Sequence, residues 1–193
     1  MFYGTYKEAR DASWHFLIET GACSLPLPVM PICKKMGIKI LYDTNKTFLS
    51  YNTRGISFQS KGVWHILLNP ESTTAIKRYT IAHELGHIYM GHPMQDGKYG
   101  RTFGVQQSIA SSSIEYQAER FAIGILAPAC VLCGLGVHTA GDIARICGIS
   151  FSAAQRRAER MATLYERGKF FTSPLEREVY KAFEDFIREN REL

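Results

Sequence analysis

The sequence predicts an α+β fold: N-terminal helices, a small antiparallel sheet, then helices to the C-terminus. Three observations carry that reading. Apolar residues recur at helical spacing near the N-terminus; from Ile38 the period shortens to β-branched and aromatic runs; beyond Pro70 the periodic segments are helical again. With 193 residues, 46% of them hydrophobic and 21% charged, the chain can bury a sizeable core, and disordered or fibrous classes are excluded. Five cysteines, an odd number, argue against a disulfide framework.

Tyr6 to Thr20 places Ala9, Ala12, Phe16 and Leu17 on one helical face, and Gly21 is a stop signal. The LPLPVMP segment breaks the chain, and Pro28 or Pro31 suits the first turn of a short second helix. The runs IKILY, TFLSY, GISFQ and VWHILL, separated by DTNK, NTRG and SKG, predict an antiparallel meander of three or four strands. Asn69-Pro70 closes the last strand, and Ser72 or Thr73 can cap a helix running to Gly91. After a polar loop over 92–111, a helix is expected from about Ser112 to Leu126, stopped by Pro128. Further helices are expected over Ala140–Cys147, Phe151–Glu166 and Pro174–Asn190, with a domain boundary dividing 1–138 from a helical subdomain at 139–193.

The opening MFYGTYKEARDASWHFLIET has no basic stretch followed by an unbroken apolar run, so a secretory leader is not expected. The apolar stretch Phe121–Val137 is slightly short for a membrane span and is broken by Pro128 and three glycines. The expected address is therefore the cytoplasm, with no membrane partner. Net charge is +5, from 23 basic and 18 acidic residues, which permits nucleic acid or acidic partners without requiring them.

The chemistry concentrates in Ile81-Ala82-His83-Glu84-Leu85-Gly86-His87. On a helix, His83 and His87 lie one turn apart on the same face, a spacing at which two imidazoles can hold one Zn²⁺. Glu84 follows the first ligand, placed to act as general base on a water at the metal. With six histidines and 13 glutamates in the chain, chance gives roughly 0.012 matches to this pattern. Two solvated surface histidines fit poorly, because Ile81, Leu85 and Ile88 line one side of the helix while Ile76, Tyr79 and Met90 flank the other.

A catalytic zinc site needs a third protein ligand. His92 is nearest, but the extended pattern H-E-x-x-H-x-x-G-x-x-H requires Gly and His where this chain has Met90 and Pro93. The next helix offers Glu115 and Glu119 one turn apart, with Ala118 and Ala122 keeping the face small enough for two helices to approach. One carboxylate would bind metal and the other would hold a ligand's second ring nitrogen. Alternatively, Ser112-x-x-Glu115 is a capping box and Glu115 merely closes the helix start.

The segments SLPLPV, HILLNP, RYTIAHELGHIYMGH and EYQAERFAIGILAP resemble the ImmA/IrrE family of metallopeptidase-like proteins across most of the chain. The resemblance implies a zincin-like core of gluzincin type, with His83, His87 and Glu115 as zinc ligands and Glu84 as the catalytic base. It further implies a regulatory endopeptidase acting on a helix-turn-helix repressor, often encoded on a phage or integrative element. The chain departs from the family pattern at Glu119, where Asp or Asn is usual, and at Ile125-Leu126-Ala127-Pro128, where Leu-Met-Pro is usual. The longer carboxylate of Glu119 can still reach a histidine. The strand ending Trp64–Leu68 is expected to offer its edge to an extended substrate, a role that Ile66→Pro would abolish without removing zinc.

Two other function classes compete. One is a zinc-holding regulator that binds a repressor without cutting it; retention of Glu84 argues against this, since holding metal needs no base. The other is a DNA-binding regulator, rooted in AGDIARICGISFSAAQRRAER, whose Arg156, Arg157 and Arg160 would lie on the second helix of a helix-turn-helix-like pair. With Glu159 between its arginines, that cluster is a thin phosphate footprint, and a packing role is favoured. Cys130 and Cys133 read as apolar filling, and Tyr89, Tyr116 and His138 as candidate oxyanion partners.

Overall fold

A computed structural model of the chain describes residues 3–50, 52–93, 98–100 and 109–191. In order these form α1 (Tyr3–Thr20), α2 (Val29–Lys35), β1 (Lys39–Tyr42), β2 (Gly55–Ser60), β3 (Val63–Leu68), α3 (Thr74–Tyr89), β4 (Lys98–Gly100), α4 (Ile109–Leu126), α5 (Ala129–Gly134), α6 (Ala140–Cys147), α7 (Phe151–Glu166), α8 (Pro174–Ala182) and α9 (Glu184–Asn190). The α+β class is as expected.

Local chemistry sets most boundaries. Gly21 ends α1 at φ +69°, and Pro28 precedes α2 with Pro31 in its first turn. The Thr73 hydroxyl accepts from the Ile76 N–H at 3.3 Å to start α3. α4 begins at Ile109, so Ser112 lies inside the helix and cannot form the capping box with Glu115. Pro128 separates α4 from α5, a short helix that puts Cys130, Val131 and Leu132 in the interior. Burial pushes the Cys130 thiol up to about 12, which fits inert apolar filling. The helix expected over Pro174–Asn190 divides at Phe183, whose N–H goes to the carbonyls of Val179 and Tyr180.

The sheet runs β1-β3-β2-β4 and is mixed, not wholly antiparallel: β2 pairs antiparallel with β3 and β4, but β1 pairs parallel with β3. TFLSY causes the difference. The Asp43 carboxylate accepts the N–H groups of Thr47, Phe48 and Leu49 at 3.0, 3.1 and 2.8 Å. Donors committed to that carboxylate cannot build a ladder, so residues 47–50 form a loop after β1 instead of a strand, and Tyr51 lies outside the described residues. The β2–β3 hairpin closes as SKG predicts, with Lys61 and Gly62 both at positive φ, the requirement of a type I′ turn. β3 therefore lies between β1 and β2 with both ladder sides occupied. The expectation that Trp64–Leu68 offers a free edge to substrate is overturned, and the Ile66→Pro test goes with it.

Packing divides the chain into two compact units, Met1–Ala9 with Pro28–Ala122, and Arg10–Leu27 with Ile123–Leu193. In the first, α3 packs on β2, β3 and α2. Gly55–Ser57 of β2 and their partners Ile66–Leu68 of β3 are buried, whereas the turn end of the hairpin is open. Gly55 permits this approach: a Cβ there would stand 2.6 Å from Thr80 Cγ2 and 2.8 Å from the Leu67 carbonyl oxygen. In the second unit α6 packs on α7 and α5 on α8. The α6–α7 turn passes through Gly148 at φ +62°, and Ser150 caps α7. Of the three arginines considered for phosphate binding, Arg157 is buried and Arg160 half-buried, leaving Arg156 exposed. The stretch Ser113–Gly134 contains an 18-residue window apolar enough by composition to cross a membrane, with mean hydropathy 1.2, but 56% of that window is buried inside the protein, as in a core helix.

Candidate metal centre

Every residue from Thr80 to His87 is buried, so α3 carries its two histidines into the first unit rather than toward water. Buried imidazoles need partners. His83 Nε2 and His87 Nε2 lie 3.1 Å apart, and Glu115 of α4 places one carboxylate oxygen 3.3 Å from the first and the other 3.5 Å from the second. The two contacts end on different carboxylate oxygens; with one ligand atom taken from each residue, the three donors all lie within 4.8 Å of one another. Zinc–ligand lengths near 2.0–2.2 Å in tetrahedral geometry set donor separations of about 3.4 Å. The 3.1 and 3.3 Å separations are close to that value, and among the described residues His83, His87 and Glu115 are the group of His, Cys, Asp and Glu side chains that could hold a metal ion.

Glu115 reaches the histidines because α3 and α4 nearly touch. A Cβ on Gly86 would lie 3.1 Å from Ala118 Cα and 3.3 Å from its carbonyl oxygen. On an open helix face Ala is favoured over Gly by about 0.8–1 kcal/mol. Here two of the three obstructing atoms are backbone and the third is Phe121 Cδ1 at 3.2 Å, so Gly86→Ala must push the facing helix back slightly, and overpacking of this kind costs about 1–3 kcal/mol. The expected result is a lower denaturation midpoint together with weaker metal binding; a stabilised variant with unchanged metal affinity would contradict the close approach.

Glu84 is 3% exposed, and its Oε2 accepts the Ser57 hydroxyl at 2.5 Å. Burial pushes its pKa up to about 7, opposed by His83 and Ser57 and assisted by Glu115. A carboxyl whose folded pKa is raised favours the folded state below its unfolded value, and that advantage is lost as pH rises through the folded value. In metal-free protein, Glu84→Gln should therefore stabilise increasingly over wild type between about pH 5 and pH 8. Melting temperatures across that range test this, and a pH-independent difference would refute it. A small cleft of about 40 Å³ is lined by His83 and Glu84 together with Asn52, Arg54, Tyr79 and Thr80.

Residues 33–159, about two thirds of the chain, match the family model Peptidase_M78, described as an IrrE N-terminal-like domain. The chain belongs to that family. Membership and the donor group together make this IrrE N-terminal-like protein metallopeptidase-like, with a site able to hold a metal ion. A comparison with curated proteins gives no significant match.

Of the candidates, the structure places His83, Glu84, His87 and Glu115 close together. Glu119 lies one turn further along α4, half-buried. The second ring nitrogen of His87 is met by a residue the sequence reading had considered only as a ligand: His92 Nδ1 stands 3.0 Å from His87 Nδ1. Burial holds the His92 pKa below the usual histidine value. Ser57 was also missed; the signal was a small polar residue at an inward position of the apolar run GISFQ. Among the oxyanion candidates, Tyr89 rests on Phe121 with ring centroids 5.6 Å apart, and Tyr116 lies under the Arg120 guanidinium at 5.1 Å. In the second unit, His138 pairs with the ring of Tyr165 at 4.7 Å.

Proposed function

We propose that this chain is a zinc-dependent regulatory endopeptidase that hydrolyses a peptide bond in one specific cytoplasmic protein, a helix-turn-helix repressor. The observation that carries the catalytic part is the donor group with a buried carboxylate beside it: three residues able to ligate a metal, and a base. Two imidazoles and one carboxylate suit zinc among the common divalent ions. His83, His87 and Glu115 would hold the ion, which when bound supplies Lewis acidity toward a carbonyl oxygen and makes water a stronger acid. Glu84 takes the proton from the attacking water and delivers it to the departing amine nitrogen. Ser57 holds the Glu84 carboxylate in place through its hydroxyl, which donates to Oε2. Glu119 is proposed in the supporting role that the family resemblance suggests. Repressor choice and cytoplasmic setting rest on the same resemblance, and burial of Arg157 weakens the competing DNA-binding reading.

The test is incubation of zinc-loaded protein with helix-turn-helix repressors encoded beside its gene, with intact mass spectrometry of the products. One discrete cut, prevented by a chelator and restored by zinc, supports the proposal. Intact repressor under conditions where the two proteins bind each other would replace it with the non-cleaving regulator.

A further inference from the structure

We infer that His92 is the positioning residue of the metal centre: its Nδ1 accepts the Nδ1–H of His87 and so fixes that ring as a ligand. The inference rests on the metal-centre reading above. His87 Nε2 points into the donor group, 3.1 Å from His83 Nε2 and 3.5 Å from Glu115. A ligating Nε2 must present a lone pair, so the proton of the neutral ring sits on Nδ1. That nitrogen is 3.0 Å from His92 Nδ1, with the two rings edge to face at 74° and their centroids 5.0 Å apart. Two lone pairs or two N–H groups at this distance would repel. One nitrogen donates and the other accepts, and the ligand role of His87 decides which.

The backbone explains how a residue outside the helix comes to serve one inside it. The N–H of His92 donates to the His87 carbonyl at 3.0 Å, and that of Gly91 to the Ile88 carbonyl at 3.3 Å, with Gly91 at φ +64°. These two bonds and the left-handed glycine are a Schellman cap, in which the chain folds back over its last turn. The cap brings the second residue beyond the helix end against the third residue before it, a meeting usually made by apolar side chains. Here the pair is His92 and His87, both buried, at 7% and 2% exposure. Stopping the helix and steering the ligand are one arrangement, spelled His87-Ile-Tyr-Met-Gly91-His92. Outer partners of ligating histidines commonly set metal affinity by about 10–100-fold.

The experiment measures zinc affinity of the full chain by competition with a chromophoric chelator, for wild type, His92→Phe and His92→Asn. Phe keeps a ring but offers no acceptor; Asn offers an amide oxygen to the same N–H. The expected result is binding about 10–100-fold weaker in His92→Phe and substantially recovered in His92→Asn. Wild-type affinity in His92→Phe overturns the inference, and so does equal weakening in both variants, which would make the role one of packing. Wild type that binds no zinc overturns the metal-centre reading itself, before either variant is considered.

Discussion

Glu84→Gln is expected to leave metal content unchanged while lowering peptide hydrolysis by about 10²–10⁴-fold, the usual contribution of a positioned acid–base group. The substitution preserves shape, and the amide can still accept from the Ser57 hydroxyl that now reaches Oε2 at 2.5 Å. It also removes a buried charge whose site disfavours ionisation, so the fold should tolerate it. Glu84 is absent from the donor group, which is why metal should remain. The paired readout is metal per chain and cleavage rate on one sample. Full repressor inactivation by a metal-loaded Glu84→Gln protein would show that the chain acts by binding.

Glu115→Ala carries the second large effect. Wild type purified without chelator should contain about one zinc per chain, and the variant close to none, because two histidines alone leave a site with too few protein ligands. His83→Ala should match it. Glu119→Ala is the informative neighbour: it lies on the same helix one turn away, so a general disturbance of α4 would lower metal content in both glutamate variants, whereas loss of a donor lowers it far more in Glu115→Ala. Elemental analysis of correctly folded proteins distinguishes these. Zinc retained in Glu115→Ala would remove Glu115 from the ligand set, and the capping role is no refuge because α4 starts at Ile109.

The site was legible in the sequence to the extent that it is written in helical spacing. His83 and His87 one turn apart, and Glu115 on the next strongly periodic helix, needed no knowledge of the sheet. Thr73, Gly21 and Ser150 marked helix ends because their side chains, or the lack of one, act on neighbouring backbone. Strand pairing was less accessible. TFLSY has the composition of a strand, and only the reach of Asp43 over four to six residues decides otherwise. Whether β1 pairs with β2 or β3 is a matter of long-range order that local pattern does not encode. Ser57 and His92 were passed over for a related reason: each acts on a residue distant in sequence or beyond a helix end, so its meaning appears only when β2 faces α3 and the Gly91 turn folds back.

The contact between Gly86 and Ala118 has a thermodynamic consequence. Two donors come from α3 and the third from α4, so a bound ion acts as a cross-link that exists only while those helices are docked. An ion present at 1,000 times its dissociation constant would add about 4 kcal/mol to that docking by mass action. That increment is comparable with much of a small domain's whole stability. For this chain the supply of metal and the integrity of the helix pair are therefore linked quantities: scarcity of one is felt as loosening of the other, and any agent that prises the helices apart also competes for the ion.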